Sequence, residues 1–451
     1  MSKSTSTSTS NSINKIRNNH LLLVFAVYTL VIFVYKDFGI PTILGYAILA
    51  GAILIAVHAS DGRASINSMK ILFLLFASVQ ILEILLSYLI TGNKSDINLI
   101  LALLVCICCV VIASPSKVEL VRMFRIWDAI AICLALYVVI VKISPSFYWT
   151  FVERLLSTES AVKNEITLRN GYGIIVGANF ELIDYILAFA FFHNLNSFLI
   201  EIKDNQKRAF KSLALALFLF MGIVLEEKKA ETLAVLAVAA VLFASKLNYT
   251  SLRTLYRRRM IFILAIMCMV TLVLVLHNRE MLGRYGMIID AILTRSAVVG
   301  TADVSSGRFR LWSVAWNLFK SNPIFGIGWG EYEHFVPPDV SIYAEYKIRQ
   351  VHNCYIQLLC ETGIVGFVLY VGTLTAMFVK SIKITSLIKR KANDKRLHIL
   401  AATSVAYQLF FLLEGVLNPT WYKIVYLFFL SIAVIISIAC HRIYLCEKDN
   451  N

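Results

Sequence analysis

The stretch VHNCYIQLLCETGIVG at residues 351–366 joins a membrane helix to a possible site of chemistry. Its length and apolar content are typical of a helix that enters a bilayer, yet it begins with His352 and Asn353. A histidine near a helix start titrates near neutral pH and can take a proton from a hydroxyl group. The structural alternative is that His352 and Asn353 only cap the helix.

Glu361 lies inside the same stretch. A carboxylate within a membrane is costly to bury and is a functional candidate by default. The alternative is that it pairs locally or with a neighbouring segment within ETGIVG. Nine residues separate it from His352, and in a regular helix that spacing places the two side chains on opposite faces. We therefore expect Glu361 to orient His352 only if the start of the helix is distorted.

The whole chain has the composition of a membrane protein. Of its 451 residues, 59% are hydrophobic and only 16% are charged, and the mean hydropathy is +0.73. These values favour one bundle of spanning helices over soluble domains. The formal net charge of +15 is attributed to membrane topology and anionic headgroups rather than to nucleic acid, because no basic patch lies on a separate soluble domain.

Apolar runs predict the number of helices. About twelve runs are long enough, or nearly so, to cross a bilayer. We therefore expect an all-α polytopic membrane helix bundle with about 12 transmembrane helices. The runs lie at 20–35, 40–58, 71–91, 97–113, 124–142, 173–193, 211–226, 229–245, 259–276, 353–379, 397–413 and 421–440.

The positive-inside rule orients this bundle with both termini in the cytoplasm. Cationic connections such as RTLYRRR and KRKANDKR then lie on the cytoplasmic side. Two long loops, 143–172 and 277–352, face away from it, and the second is large enough to form an outward helical loop before the tenth helix. The predicted order is a disordered tail at 1–19, nine helices over 20–276, the loop over 277–352, three helices over 353–445 and a tail at 446–451.

Metal and cofactor chemistry find no support in the motifs. The nine cysteines lie mostly inside apolar runs, which favours packing over a metal site or a disulfide framework. The chain has no HExxH motif, no Cys–His metal set, no GxSxG elbow and no Walker loop. We expect no metal ion and no cofactor.

The loop before the quoted helix contains SSGRFRLWSVAWNLFKSNP at 305–323. From Arg308 the pattern is helical, with Trp312 and Trp316 on the same face. A Trp-rich amphipathic helix is typical of a membrane interface, where the guanidinium of Arg308 offers a planar fork of donors to a phosphate. The alternative is a plain anchor whose arginine meets ordinary lipid phosphates. Arg310 is a further candidate for substrate binding.

Other segments add glycines and charges. FGIGWGEYEHF at 325–335 lacks the strand and helix of a phosphate loop, so its glycines are expected to allow tight backbone turns. In LEEKKAE at 225–231, Lys228 or Lys229 can bind phosphate as a point charge, unless this is only a solvated turn. Glu181 and Asp184 suggest a polar cavity in the sixth run, close enough to the interface to be solvated. Arg169 is a further outward cation.

These motifs together resemble the signature region of the bacterial O-antigen polymerase and O-antigen ligase family. The family pattern has an Arg four residues before a Trp, a Pro with a glycine-rich turn, and then His–Asn, Glu and Gly at the next helix. The matching residues are Arg308, Trp312, Pro323, Gly326, Gly328, His352, Asn353, Glu361 and Gly363. The chain departs from the family where an Arg often begins an upstream membrane helix, because Lys229, or else Lys228, stands there.

The resemblance implies a metal-independent membrane glycosyltransferase. Its donor would be a polyprenyl-diphosphate glycan, typically undecaprenyl diphosphate, used on the outer face of the bacterial cytoplasmic membrane. His352 would orient or deprotonate the acceptor hydroxyl, and Arg308 would help to neutralise the diphosphate leaving group. The residues expected to bind substrate are Lys229, Lys228, Arg310, Asn353, Arg169 and Glu361.

Several functions share these features. We favour a polymerase of O-antigen, capsular or other surface repeat units, because the loop at 143–172 offers a second surface for glycan. A ligase would move the finished glycan to a lipid A core or another acceptor. A lipid-linked oligosaccharide flippase would need charges along several helices at the midplane, and a scaffold would not need Arg308 and His352 together. The expected partners are the lipid-linked glycan, membrane lipids and a chain-length regulator or flippase, without nucleic acid.

Overall fold

A computed structural model of the chain is almost entirely helical over the residues that it describes. The described residues are 22, 24–26, 50–51, 53–54, 67–92, 97–155, 181–202, 204–226, 228–247, 298–299, 302–303, 308–336, 350–392 and 394–449. The helices are α1 Ser68–Thr91, α2 Ile97–Ile112, α3 Lys117–Ile143, α4 Glu181–Glu201, α5 Gln206–Leu225, α6 Lys229–Leu247, α7 Arg308–Ser321, α8 Tyr332–Phe335, α9 Cys354–Lys391, α10 Lys395–Glu414 and α11 Ile424–Asp449. Short helical turns cover 145–155 and Thr420–Tyr422. A two-residue pair, β1 Val298–Val299 and β2 Ala302–Asp303, is antiparallel and lies within the predicted outward loop.

The described helices include seven that are long and apolar enough to cross a membrane, namely α1, α3, α4, α5, α9, α10 and α11. The shorter apolar helices α2 and α6 add to these. Each of these nine helices overlaps one of the predicted runs, which confirms an all-α polytopic membrane bundle. The runs at 20–35, 40–58 and 259–276 lie mostly outside the described residues, as does most of the loop at 143–172.

Three helix ends differ from the prediction for local reasons. α3 begins at Lys117 rather than at 124, because Ser116 and Glu119 form a reciprocal capping box before its apolar run. α4 continues past 193 to Glu201, and the buried amides of Asn194 and Asn196 are satisfied by carbonyl oxygens one turn earlier. α9 extends beyond 379 to Lys391 and ends in three cationic residues, which suit a helix C-terminus.

The centre of the bundle is formed by α4 and α11, whose side chains are buried along most of their lengths. Aromatic rings from α4, α10 and α11 stack there, with Tyr185, Tyr407 and Phe429 within ring-contact distance of one another. The amide of Gln408 and the hydroxyls of Ser381, Ser404 and Ser437 form a buried hydrogen-bonded network between α9, α10 and α11. In a bilayer such close packing and interhelical hydrogen bonds hold helices together, because lipid tails are as apolar as the side chains.

Candidate functional site

The helix that carries the opening stretch is broken at Gly363. Its φ of 64° and ψ of −167° interrupt α9, so residues 354–362 form a separate short helix. We call Pro323–Gly328 the docking loop, because its backbone pairs with α9 on both sides of this break. The hydrogen bonds run from Ile327 N to the Cys360 oxygen at 3.1 Å, Gly328 N to the Glu361 oxygen at 2.9 Å, Ile364 N to the Pro323 oxygen at 2.9 Å and Val365 N to the Ile324 oxygen at 3.3 Å.

Glycine is required where the docking loop meets the break. Gly326 has a φ of 71°, and a Cβ atom there would lie 2.6 Å from the amide nitrogen of Gly363. A Cβ atom on Gly363 would lie 2.6 Å from the amide nitrogen of Phe325. Both distances are well inside van der Waals contact. The tight turn expected at Gly326 is therefore present. The close approach of the two backbones is a second reason why Gly326 and Gly363 cannot carry a side chain.

α7 packs against the short helix and begins at Arg308, as its pattern predicts. Leu311 and Ala315 are buried against Tyr332 and Val351. The Tyr332 hydroxyl donates to the carbonyl of Leu311 at 2.8 Å. Burial, with Cys360 and Glu361 nearby, raises the pKa of Tyr332, so this tyrosine stays protonated and remains a donor.

The residues that follow the docking loop, Trp329–Glu331, are held by α1 and by the turn before α11. The Ser87 hydroxyl donates to the carbonyl of Trp329 at 2.7 Å, and the Trp329 ring stacks on Tyr422 with centroids 4.4 Å apart. The Thr91 hydroxyl donates to Glu331 at 2.7 Å. Burial raises the pKa of Tyr422, and the neighbouring Glu361 carboxyl raises it further.

His352 lies at the meeting point of these elements. It has a φ of 54°, in the left-handed region that few side chains adopt, and it is half-buried. The residue before it, Val351, accepts a 2.9 Å hydrogen bond from the Trp312 indole. Arg308 stands four residues before Trp312 on α7, a rise of about 6 Å. The structure thus brings the Arg308 end of α7 to the His352 end of α9.

Asn353 and Glu361 both have structural partners. Asn353 caps α9, because its Oδ1 atom accepts from the amide of Ile356 at 3.0 Å. Glu361 is fully buried, and its Oε1 atom accepts from Gln357 at 3.1 Å. The first non-helical residue of α9 is Gly363, which follows Glu361. Residues 354–361 are therefore helical, and the backbone departs from a helix at His352 and Asn353, before Cys354.

The turn between α5 and α6 is buried at Lys228, whereas the sequence allowed a solvated turn as one of two interpretations. Lys228 is 7% exposed, and its Nζ atom lies 3.0 Å from the carboxylate of Asp184, which is fully buried rather than solvated. Glu231 and Glu414 are buried close by. This cluster holds more acidic than basic groups, so Lys228 is neutralised within the protein.

Three predicted substrate-binding residues remain, namely Arg310, Lys229 and Arg169. Arg310 is exposed on α7. Lys229 begins α6, but its side chain, like the whole of Arg169, lies outside the described residues.

The sequence interpretation missed two groups of polar residues. Glu414 and Asn418 join the Lys228 cluster from the turn after α10, where EGVLNP ends an apolar run and offered a weak signal. Asp128 on α3 pairs with His193 on α4 at 3.0 Å, inside two predicted spans. Ionisable residues within apolar runs were the available signal for this pair.

Replacing Asn353 with alanine is expected to lower the free energy of unfolding by about 1 kcal/mol, the usual effect of losing a side-chain helix cap. Asn353→Asp should retain stability, since a carboxylate oxygen accepts the same hydrogen bond. Thermal melting of both variants in detergent measures the difference. Equal losses in the two variants would contradict the capping role.

Comparison with known proteins identifies part of the chain. Residues 214–371 match a family model described as O-antigen ligase. This segment begins in α5 and ends in α9, so it includes the Lys228 turn, α7, the docking loop and His352. A search of curated proteins found no match to the chain. This match over part of the chain supports the resemblance of its signature region to the O-antigen ligase and polymerase family.

Proposed function

We propose that the protein polymerises lipid-linked repeat units by glycosyl transfer from an undecaprenyl-diphosphate donor on the outer face of the bacterial cytoplasmic membrane. One observation carries the proposal. The Trp312 indole, one turn after Arg308, is hydrogen-bonded to the residue before His352. This contact supports a site in which a cation suited to phosphate and a proton acceptor act together, as transfer from a diphosphate requires.

The reaction assigns these two side chains separate tasks. His352 takes the proton of the acceptor hydroxyl while that oxygen bonds to the anomeric carbon of the donor. The bond from that carbon to the diphosphate oxygen breaks, and the diphosphate leaves with the electron pair. Arg308 binds the leaving group through paired donors and stabilises its developing charge. No divalent ion is needed for this role, so we expect transfer to persist in EDTA.

The other residues predicted to bind substrate are given different roles in this mechanism. Lys228 is buried against Asp184, so it sets the electrostatic potential of the site more than it binds phosphate directly. Lys229, Arg310 and Arg169 are proposed to guide the anionic donor. Asn353 and Glu361 are proposed to act through the shape of the helix start, in keeping with their hydrogen bonds to Ile356 and Gln357.

The proposed topology places both termini in the cytoplasm and the loops at 143–172 and 277–352 outside. The substrate is then the lipid-linked glycan in the outer leaflet. A chain-length regulator or a flippase is proposed as a partner, because both would handle the same glycan. Fusion of a reporter enzyme to each terminus, active only in the cytoplasm, tests this orientation.

A ligase is the second candidate, and the description of the matched family model favours it. Deleting the gene in the source organism separates the two activities. Loss of a polymerase leaves surface glycan with one repeat unit. Loss of a ligase leaves long glycan on the polyprenyl carrier and none on the final acceptor. An unchanged glycan profile would contradict both.

Replacing Arg308 with lysine is expected to lower the transfer rate about tenfold, since lysine keeps the charge but loses the bidentate fork. Arg308→Gln removes the charge as well, and we expect a loss of about 10²-fold. Membranes carrying each variant are assayed with undecaprenyl-diphosphate-linked glycan extracted from the source organism. Lys320→Gln, an exposed change in the last turn of α7, is the matched control. Equal rates for Arg308→Gln and the control would contradict the role of Arg308.

A further inference from the structure

A buried polar cluster includes Lys228, the one member to which the mechanism above gives a task. It consists of Asp184, Lys228, Glu231 and Glu414, which come from α4, the turn before α6, α6 and the end of α10. All four are at most 7% exposed. Buried carboxylates accept hydrogen bonds and cannot donate them when ionised, so each needs a donor from elsewhere.

Asn418 supplies that donor to two of the carboxylates. Its Nδ2 atom donates to Glu231 Oε1 at 3.1 Å and also to Glu414 Oε1. Glu414 ends α10, whereas Glu231 lies in the first turn of α6, directly after Lys228 and Lys229. The Asn418 amide therefore joins the turn that carries the lysines to the end of α10.

The same turn contacts the start of α9. The Cys354 amide donates to the carbonyl of Gly415 at 2.7 Å, and the Cys354 thiol donates to the carbonyl of Asn418 at 3.0 Å. Cys354 is two residues after His352. Hydrogen bonds and short runs of backbone thus connect the lysine turn, through Asn418, to His352.

We propose that Asn418 is a positioning residue for glycosyl transfer. Its amide fixes the position of the turn that carries Lys228 and Lys229 (the lysine turn) relative to the start of α9, next to His352. This inference rests on the proposed function. The Asn418 side chain is not proposed to contact the reacting atoms. Its effect is on the distance between the segment that faces the diphosphate and the segment that faces the acceptor.

An amide suits this position better than other small side chains. One NH₂ group can donate to both carboxylates, while the backbone carbonyl of the same residue accepts from Cys354. Alanine would leave two buried carboxylates without this donor. A misplacement of about 1 Å between reacting groups lowers a rate by about 10²-fold, and the substrates still bind. The expected signature is a change in kcat with little change in KM.

The first test compares Asn418→Ala with wild-type protein in nanodiscs. Rates are divided by the amount of monodisperse protein in each sample. The concentration of the donor, undecaprenyl-diphosphate-linked glycan from the source organism, is varied. We expect kcat to fall about tenfold to 10²-fold and the donor KM to change less than about threefold. Asn205→Ala is the control, because Asn205 caps α5 at the end far from Glu231. We expect its kcat to match the wild-type value.

A second variant tests whether transfer depends on the hydrogen bonds that the side chain of residue 418 donates. In Asn418→Asp, the new carboxyl faces Glu231 on α6 and Glu414 on α10. The groups packed around Glu414 are Asp184 and Tyr185 on α4, Lys228 before α6 and Cys354 on α9. Only the protonated form of the new carboxyl can donate, and neighbouring carboxylates favour that form. The kcat of Asn418→Asp relative to wild type should therefore rise as pH falls from about 8 to about 6, while that of Asn418→Ala stays flat.

The outcomes separate this inference from the proposed function. A kcat for Asn418→Ala equal to that of Asn205→Ala, in active wild-type preparations, would overturn the positioning role and leave the transferase standing. The same holds if Asn418→Asp has a flat relative pH profile. If Asn418→Ala does not fold, the profile of Asn418→Asp decides alone. Inactive wild-type protein would overturn both proposals.

Discussion

Replacing His352 with asparagine is expected to lower the glycosyl transfer rate by about 10²- to 10⁴-fold, the usual contribution of a general base. Asparagine is the informative substitution, because it tolerates the left-handed backbone that His352 adopts at a φ of 54°. The fold at the start of α9 should therefore persist while the proton acceptor is lost. Initial rates at saturating donor measure the effect.

His352→Gly is the matched control for backbone strain. Glycine adopts the same φ without cost, so its melting temperature should be equal to or above that of the wild type. We expect its transfer rate to be as low as that of His352→Asn. Transfer at more than about half the wild-type rate in either variant would show that the imidazole is not the base.

Replacing Gly326 with alanine is expected to detach the docking loop from the break in α9. The left-handed φ of 71° costs alanine about 1–2 kcal/mol. Forcing a methyl group against the backbone of residues 361–363 adds about 1–3 kcal/mol. The sum, about 2–5 kcal/mol, is comparable with the stability of many domains. We expect poor expression, a lower melting temperature and no measurable transfer.

Gly372→Ala provides the control for this change. Gly372 lies in the regular part of α9, and a Cβ atom there would meet nothing within 4 Å. Alanine favours a helix over glycine by about 1 kcal/mol, so this variant should be as stable as the wild type or slightly more so. Similar melting temperatures for Gly326→Ala and Gly372→Ala would contradict the docking account.

Helix positions were predictable because spanning a bilayer requires long apolar runs, and that requirement is visible in the sequence. The helical pattern from Arg308 was visible for another reason, the spacing of Trp312 and Trp316 on one face. The break in α9 was not predictable in the same way. Its partners, in the docking loop, are backbone amides and carbonyls, which leave no pattern of side-chain types. The glycines were the available signal, and they were interpreted only as tight turns.

The charged turn at 225–231 shows a second limit of pattern alone. Its run of acidic and basic residues is typical of a solvated turn, yet Lys228 is buried. The reason lies far away in the sequence, since Asp184 and the turn after α10 cover it. A short stretch of sequence does not show which distant residues will pack against it, so this burial could not be predicted from residues 225–231 alone. Asn353 was simpler, because capping was one of the two roles that its position suggested.

The central claim is that this chain catalyses metal-independent glycosyl transfer. The most direct measurement uses purified wild-type protein in nanodiscs, undecaprenyl-diphosphate-linked repeat units from the source organism and EDTA, with products separated on a gel. The account predicts a ladder of elongated lipid-linked glycans that is absent with His352→Asn. Transfer only after addition of a lipid A-core acceptor would make the enzyme a ligase. No product under either condition from well-folded protein would contradict the account.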